Sequence, residues 1–240
     1  LTMGPSIIKA LRKYTKLPFD VHLMISPVHK YIQDYADAGA DIITIHPEAT
    51  SNLYASIKKI KSLNKKAGVS LNPETSIDKV MPVLEMIDLV NIGGGLPSEY
   101  ANTNVKVLPG IFNKITELKQ WLNQKGIQLM IEPGRFIAAS AGKLVTKIIA
   151  IHENNIIVNA SVYNANMDAV IVPVKLLVEG ELTKEEGKSF VIKGVTPCSM
   201  DLFRYRVYLD NPKVGDQLVF LNAGAYNFTT NFCDLEEIET

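Results

Sequence analysis

Cysteine is scarce in this sequence, and several other features are missing altogether. The two cysteines among 240 residues, Cys198 and Cys233, lack both metal-ligand spacing and the density of a disulfide framework, which favours a cytoplasmic protein. No apolar run approaches the roughly 18–20 residues that cross a bilayer, and no secretory leader pattern opens the chain. Lys+Arg and Asp+Glu are 25 each, so no net charge recruits nucleic acid or an anionic membrane. The first residue is Leu1, which suggests an internal piece of a longer protein.

The sequence is rich instead in hydrophobic residues, 47% of the chain, arranged in two successive patterns. From residue 5 to about 135, helix-like and strand-like segments alternate, and the strands are near-continuous apolar runs, which predicts a parallel α/β sheet buried on both faces. No GxGxxG motif follows the first strand, which disfavours a dinucleotide-binding sheet. The predicted strands are 17–25, 41–48, 69–74, 87–92 and 127–132, and the predicted helices are 5–14, 27–39, 52–68, 76–86 and 111–125, with Gly39 and Gly68 closing the second and third helices.

After about residue 136 the pattern changes to β-branched and aromatic segments separated by turn-forming residues. The predicted fold class is therefore α/β: a partial TIM-type barrel of about five parallel strands, followed by an antiparallel β-sandwich or β-barrel domain. Five strands do not close an eight-stranded barrel. An incomplete barrel would leave sheet edges exposed, which favours self-association.

Motifs at three successive strand ends characterise the first ninety residues: FDVHLMI, GADIITIHPEA and VSLNPET, preceded by LTMGPSIIKALR. Together they resemble ribulose-phosphate 3-epimerase, a metal-dependent isomerase of the pentose phosphate pathway, over residues 1–90. The resemblance implies that His22 ligates a divalent metal such as zinc and that Met24 lines the substrate pocket. The family's other metal ligands and both acid/base aspartates have no counterpart here, so His22 is alternatively a hydrogen-bonded core histidine, and His46 a polar residue at a strand end.

Three consecutive glycines follow the strand 87–92 directly, and such a strand-to-glycine turn can deliver backbone N–H groups to an anion. NIGGGLP, IEPGR (131–135), TPCSMD (196–201) and LNAGAY (221–226) resemble, in this order, the fold-type III pyridoxal-phosphate decarboxylases of the ornithine, diaminopimelate and carboxynorspermidine group, over residues 91–240. The residues that this resemblance implies at pyridoxal 5'-phosphate are Gly93, Gly94, Gly95, Glu132, Gly134, Arg135 and Tyr226.

The implied roles follow from the chemistry of the side chains. Glu132 would keep the pyridine nitrogen protonated, and Arg135 would add a charge-assisted contact to the phosphate. The family's cofactor-binding lysine on the first barrel strand has no counterpart. The family's Cys-x-x-x-Asp motif is also shifted: counting back from Asp201, which we expect at the substrate, the cysteine position is Pro197, and Cys198 stands where the substrate-reading acid would be. Cys198 is nevertheless the candidate catalytic residue, and Asp168 is expected to be structural.

The sequence thus predicts three segments: 1–90, epimerase-like; 91–135, decarboxylase-like with phosphate loops; and 136–240, a β domain. Three hypotheses follow: a pyridoxal-phosphate decarboxylase relative without its lysine and with little or no activity, a metal-dependent ribulose-phosphate 3-epimerase, or a non-catalytic fragment. The expected ligand is a small molecule, an amino acid or a pentose phosphate, and the decarboxylase resemblance implies a homodimer. No nucleic acid or membrane partner is expected.

Overall fold

A computed structural model describes residues 3–72 and 74–227 of the chain. The chain divides into two compact units, one consisting of Leu1–Gly94 and Pro109–Glu132, the other of Gly95–Leu108 and Pro133–Thr240. None of the three boundaries between these units coincides with those of the three segments predicted from the sequence, and the segments remain a prediction. No helix within the described ranges is both long and apolar enough to span a bilayer.

The first unit contains a five-stranded sheet in which every strand pairs with its neighbour in sequence, and all of these pairings are parallel. The predicted parallel α/β sheet is therefore confirmed. The central strands bury apolar side chains, among them Ile43, Ile45 and Val69, which are fully buried. The strands are β1 (Asp20–Leu23), β2 (Ile42–Ile45), β3 (Lys66–Ser70), β4 (Leu89–Asn91) and β5 (Gln128–Met130), and the helices are α1 (Pro5–Arg12), α2 (Ile32–Ala38), α3 (Leu53–Ser62) and α4 (Leu108–Asn123).

Gly39 and Gly68, the two glycines expected to end helices, have different roles. Gly39 follows α2 with a φ of 108°, the left-handed conformation of a helix-ending glycine, as predicted. Gly68 does not close α3, which already ends at Ser62; it lies inside β3. A Cβ atom at Gly68 would lie 2.3 Å from Oγ1 of Thr44 on the neighbouring strand. The glycine is therefore needed for close contact on the face of the sheet.

Two predicted helices are shorter and tighter than the hydrophobic spacing indicated. The helix predicted over 76–86 is two short 3-10 turns, Ile77–Lys79 and Met81–Val83. Pro82 lies in the second turn and lacks the N–H that a continuous α-helix would require there. The helix predicted over 27–39 begins with a 3-10 turn at Val28–Lys30, and only Ile32–Ala38 is α-helical.

The second unit contains a six-stranded sheet with the order β10-β9-β7-β6-β11-β8. The predicted β domain is confirmed, with one difference: in the part of the chain that is described, β7 and β9 pair in parallel and the other pairings are antiparallel. The strands are β6 (Leu144–His152), β7 (Asn155–Val158), β8 (Leu177–Val178), β9 (Lys188–Lys193), β10 (Leu202–Leu209) and β11 (Gln217–Leu221), and the helices are α5 (Gly134–Ala138), α6 (Val162–Ala165) and α7 (Asp168–Ile171).

Candidate functional site

Four polar side chains from different strands of the first unit form a connected group, called here the histidine cluster: His22, His46, Asn91 and Glu132. His22 lies on β1, His46 follows β2, Asn91 ends β4, and Glu132 follows β5. The carboxyl ends of parallel strands meet at one edge of a sheet, and at this edge the sequence places polar residues. Residues 110 positions apart in sequence are thereby brought into hydrogen-bonding contact.

The histidine cluster is held by short polar contacts. His22 Nδ1 lies 3.1 Å from Glu132 Oε1, and its Nε2 lies 2.8 Å from His46 Nε2. Asn91 Nδ2 donates to the same Glu132 oxygen at 2.6 Å. When His22 is neutral and donates its Nδ1–H to the carboxylate, its Nε2 accepts the N–H of His46. The remaining lone pair is then on His46 Nδ1, a buried atom without a hydrogen-bond partner within the described ranges.

The electrostatics of the cluster extend to Asp20, which points to the same face of β1 as His22. Burial raises the pKa of Asp20, and the nearby Glu132 charge adds to the rise, whereas a hydrogen bond donated by Thr44 Oγ1 at 3.3 Å opposes it. Burial, followed by the charge of His22, lowers the pKa of His46. The first unit therefore holds a carboxyl group whose pKa is raised and an imidazole whose pKa is lowered.

Asp20 and His22 line a cavity of about 610 Å³ within the first unit. Met24, predicted to line the substrate pocket, lies in the wall of the same cavity, and its side chain is exposed. Tyr35, on helix α2, also lines the cavity. The structure thus brings His22 and Met24 together, and their roles at a metal and a substrate remain predictions.

A metal ion does not fit the residues present near His22. Zinc sites use at least three protein ligands. Within the described ranges, no group of three or more His, Cys, Asp or Glu side chains is arranged to hold a metal ion. The chain accordingly offers His22 as a single predicted ligand, and no step of a mechanism can be assigned to a bound metal.

The first of the three glycines has its backbone groups already occupied. Gly93 has a φ of 69°, and its N–H donates to Asn91 Oδ1 at 2.7 Å. Its carbonyl accepts the N–H of Glu132 at 2.8 Å. Gly94 ends the first segment of the first unit, and Gly95 begins the second unit. Asn91 therefore competes for a donor that the predicted phosphate cup requires, and the cup remains a prediction.

In the second unit, three residues predicted at the cofactor lie together. The guanidinium of Arg135 is 5.0 Å from the centre of the Tyr226 ring. A Cβ atom at Gly134 would lie 2.8 Å from the Tyr226 hydroxyl, so glycine is what permits this approach. Tyr226 itself has a φ of 59°, an unusual backbone conformation for a residue with a large side chain.

Asp168 holds the guanidinium of Arg135. Its two carboxylate oxygens pair with the two terminal nitrogens of Arg135, with Nη2 to Oδ1 at 3.0 Å, and the Tyr100 hydroxyl accepts from Nη1 at 3.3 Å. The Asp168 carboxylate raises the pKa of Arg135 further above its usual value. A phosphate group would have to share Arg135 with this buried carboxylate.

Cys198 and Asp201 occupy contrasting environments. Cys198 is exposed, and its Sγ lies 3.0 Å from the Tyr163 hydroxyl, a contact that lowers the pKa of the thiol. Asp201 is 1% exposed and accepts hydrogen bonds from Val162 N, Thr196 N and Thr196 Oγ1. These contacts favour a structural role for Asp201; its expected role at a substrate, like that of Cys198 in catalysis, remains a prediction. Cys233 lies outside the described residues.

Sequence reasoning did not select Asn91, Asp20 or Tyr100 as functional. The only signal for Asn91 was its place as a polar residue at a strand end, immediately before the glycines. Tyr100 had no motif signal, because its contact with Arg135 spans 35 positions.

Comparison with solved structures defines the class of fold. The chain matches the arginine decarboxylase of Paramecium bursaria Chlorella virus with a TM-score of 0.65 and 17% identity, covering 97% of this chain and 85% of that one. It matches the lysine/ornithine decarboxylase of Vibrio vulnificus with a TM-score of 0.63 and 17% identity, covering 98% and 83%. At this identity the likeness shows a shared decarboxylase-like α/β fold and nothing about activity.

Sequence comparison gives the family. The model of the ribulose-phosphate 3 epimerase family matches residues 1–163. The ribulose-phosphate 3-epimerase of Synechocystis is 34% identical over 170 residues, 69% of this chain and 70% of the relative, and that of Bacillus subtilis is 35% identical over 167 residues, 68% and 73%. The chain belongs to the ribulose-phosphate 3 epimerase family.

The match is partial for other relatives. The epimerase of Buchnera aphidicola is 43% identical over 140 residues, and the match covers 59% of that protein. Both resemblances predicted from the motifs are confirmed, one by the family and one by the fold. The family match continues to residue 163, beyond the boundary near residue 90 that the motifs indicated.

Proposed function

We propose that the first unit binds a pentulose phosphate and carries out, slowly, the proton transfer of a ribulose-phosphate 3-epimerase. Epimerisation removes the proton from a carbon next to a ketone and returns a proton to the other side of that carbon, which requires a base and an acid. The observation that carries the proposal is the hydrogen-bonded chain from Glu132 through His22 to His46, beside the second carboxyl group, Asp20.

The contacts within the histidine cluster suggest how its members divide the work. Glu132 is the base, because Asn91 Nδ2 fixes one of its oxygens and leaves the carboxylate 38% exposed. Asp20 is the acid, because burial and the nearby Glu132 charge raise its pKa. His22 and His46 orient Glu132 and stabilise its negative charge. A slow rate is expected because the acid/base aspartates of the family have no counterpart in this chain.

Hydrogen exchange at the substrate tests this proposal directly. Ribulose 5-phosphate is incubated with the protein in deuterium oxide, and loss of the C3 proton signal is followed by NMR. One functional base suffices for exchange, so the measurement responds even when full epimerisation is too slow to detect. We expect Glu132→Gln to slow exchange by at least about 100-fold, the usual contribution of a general base.

The matched control is Glu117→Gln, because Glu117 is an exposed carboxylate paired with Lys114 on α4. It should leave exchange unchanged. Exchange that is equal in wild type and Glu132→Gln would indicate a contaminating host enzyme and would contradict the proposal. The absence of exchange above buffer would contradict it as well.

A second function is favoured by the grouping of Gly134, Arg135 and Tyr226 in the second unit. We propose that this part of the chain binds pyridoxal 5'-phosphate reversibly and without a covalent bond. Bound pyridoxal phosphate supplies an electron sink. Within the second unit, Arg135 and Tyr226 would hold its phosphate, and Cys198 and Asp201 would face an amino-acid substrate. The roles of Gly93, Gly94 and Gly95 at the phosphate and of Glu132 at the pyridine nitrogen stay predictions from the sequence.

Decarboxylation is expected to be weak or absent under this second proposal. Among the described strands β1 to β5, none is followed within two residues by a lysine. The chain would then be a composite, with epimerase-like residues 1–90, decarboxylase-like residues 91–135 and the β domain 136–240, joined near residues 88–93. Sequencing the source DNA continuously across this joint tests whether it is genuine.

Titration with pyridoxal 5'-phosphate, followed by absorbance and compared with pyridoxal, tests the phosphate site. We expect the phosphate to improve binding at least about tenfold, and Arg135→Met to remove that advantage. Arg206→Met is the control, because Arg206 is exposed in the same unit. Equal binding of the two aldehydes would contradict the proposal. Sedimentation of the same sample tests the expected homodimer.

A further inference from the structure

The edge of the five-stranded sheet at β1 is open in the part of the chain that is described. Strand β1 pairs with β2 on one side, and within the described ranges no strand pairs with its other side. Every residue from 20 to 25 lines the cavity of about 610 Å³. Successive residues of a strand point to opposite faces of the sheet, so a cavity that all of them line runs along the edge of the strand. The cavity is therefore a groove beside β1, called here the edge groove.

The pairing with β2 shows which backbone groups face the edge groove. The Phe19 carbonyl accepts the N–H of the first residue of β2 at 3.0 Å, so the backbone of Phe19 faces β2. In a parallel pair every second residue directs its N–H and C=O to the same neighbour. Val21 and Leu23 therefore face β2 as well, and Asp20 and His22 direct their backbone groups into the groove. Such unpaired donors and acceptors are a template for another strand.

Most of the features that usually protect an edge strand are missing here. Natural edge strands often carry lysine or proline, or are bent by a bulge. Residues 19–25, FDVHLMI, contain neither lysine nor proline, and the register of β1 with β2 is continuous. Met3 and Met24, which line the groove, are exposed. Apart from the histidine, Asp20 is the one charged residue of this segment, so a partner strand has to accommodate its carboxylate.

We propose that a second copy of this chain occupies the edge groove, with the two β1 strands paired antiparallel about a two-fold axis at Val21. A two-fold contact uses the same surface of both copies. In this register Asp20 of each copy lies opposite His22 of the partner subunit. These are the residues whose backbone groups face the groove, so each such pair exchanges both backbone hydrogen bonds.

Charge and size select this register. The axis of a symmetric pairing that uses most of β1 passes through one of its two central residues, Val21 or His22. An axis at His22 would oppose two imidazoles, each already in contact with other side chains of its own copy, and would leave Asp20 opposite a methionine. An axis at Val21 opposes valine to valine and, on the other face, carboxylate to imidazole twice. Opposite charges directly across a strand pair stabilise it.

The pairing would add a residue to the histidine cluster. Asp20 of one copy would lie beside His22 of the partner subunit, so each cluster would contain a carboxylate from both copies. The proposal rests on the open edge of the sheet and on the side chains along it, and it holds whichever of the functions proposed above is correct.

Disulfide cross-linking of the intact protein tests the register. Val21→Cys is compared with Leu23→Cys, in a chain whose native cysteines, Cys198 and Cys233, are replaced by serine. Residues directly opposite in an antiparallel pair have Cα atoms about 4.5–5.5 Å apart, which a disulfide spans. Leu23 is the matched control, since it is buried on the same face of the same strand, but its two copies would be about 13 Å apart along the strands. We expect a covalent dimer from Val21→Cys under mild oxidation and none from Leu23→Cys.

Sedimentation equilibrium over a dilution series measures the strength of the contact. The wild-type protein should be a dimer that dissociates on dilution. Asp20→Lys should weaken it at least about tenfold, because both pairs of opposite charges are lost, and adding His22→Asp should restore most of the affinity. Asp78→Lys is the control, since it makes the same charge change at an exposed position in the turn after β3, and it should leave the dissociation constant unchanged.

Several results would overturn the proposal. They are a monomer at every concentration, an open-ended polymer in place of a dimer, and equal cross-linking of the two cysteine variants. A dimer that neither responds to Asp20→Lys nor cross-links through Val21→Cys would use another surface and would also contradict it. The cross-linking comparison relies on two mild substitutions, so it remains decisive even when a charge variant does not fold.

Discussion

The histidine cluster of the first unit and the buried Asp201 of the second have contrasting surroundings. In the first unit, His22 contacts both Glu132 and His46, and burial raises the pKa of Asp20 and lowers that of His46. In the second, the buried carboxylate of Asp201 accepts three hydrogen bonds. Under the proposed function, the charges of the histidine cluster serve a ligand, whereas the contacts of Asp201 serve stability.

The same contrast applies to the two arginine pairs of the second unit. Arg204 is 7% exposed and pairs with Glu181 through Nη2 at 2.8 Å, while its Nη1 donates to the Leu176 carbonyl at 2.7 Å. Arg135 pairs with Asp168, but it also lies over the ring of an exposed tyrosine, Tyr226. Under the proposed cofactor binding, Arg135 would combine a structural partner with access to a ligand.

The largest expected effect is on Asp201. Asp201→Ala leaves the N–H groups of Val162 and Thr196 and the Thr196 hydroxyl without their acceptor, which should lower the free energy of unfolding by about 3–5 kcal/mol. Urea denaturation measures the loss. Asp210→Ala, at an exposed position that follows β10, is the control and should change the free energy by less than about 0.5 kcal/mol. Equal losses of free energy of unfolding in the two variants would show that the buried Asp201 contributes no more to stability than the exposed Asp210, and would contradict the comparison between the units.

A smaller effect is expected at the pair formed by Arg135 and Asp168. Asp168→Asn leaves a guanidinium without its carboxylate and should cost about 2–3 kcal/mol, and Arg135→Met alone should cost a similar amount. The double variant should cost less than the sum, because the second change removes a partner that is already unpaired. Additive losses in urea denaturation would show that the pair contributes nothing as a pair.

The smallest effect is the pH dependence at Asp20. The pKa of Asp20 is raised in the folded chain above its ordinary value of 3.8, so the folded state keeps this proton after the unfolded state has lost it. This contribution makes stability fall as pH rises from the ordinary pKa to the raised one. Asp20→Asn removes that loss, so the free energy of unfolding of the variant minus that of wild type should increase as pH rises above about 4. A difference that stays constant, or that decreases as pH rises, would show that the pKa of Asp20 is not raised in the folded state.

Much of the fold was predictable from the sequence because local patterns determine it. The apolar strands gave the parallel sheet, and Gly39 marked the end of α2. Gly68 was misassigned, because its reason for being glycine is Thr44 on another strand, a contact that no local pattern contains. The prediction of a helix over 76–86 likewise did not take account of Pro82, which has no backbone N–H to donate.

The candidate site was less predictable than the fold. His22 and Glu132 were both selected from motifs, but for different ligands, and nothing in their spacing indicated that they touch each other. Their contact depends on the order and register of five strands. Gly93 was correctly placed at a strand end, yet its N–H is taken by Asn91, and side-chain competition of that kind becomes visible only in three dimensions.

The parallel pairing between β7 and β9, the one such pairing in the second sheet over the residues described, has a consequence for how this unit folds. Residues 159–187 separate the two strands, and within them β8 joins β11 at the far edge of the sheet. Strand β7 therefore pairs with its second neighbour, β9, only after the long connection between them has closed. Closing such a loop costs conformational entropy before the strand pairing stabilises it. During synthesis on the ribosome, the hairpin of β6 and β7 should appear first, and the sheet should gain its protection from amide exchange late, once the segment 188–193 has emerged.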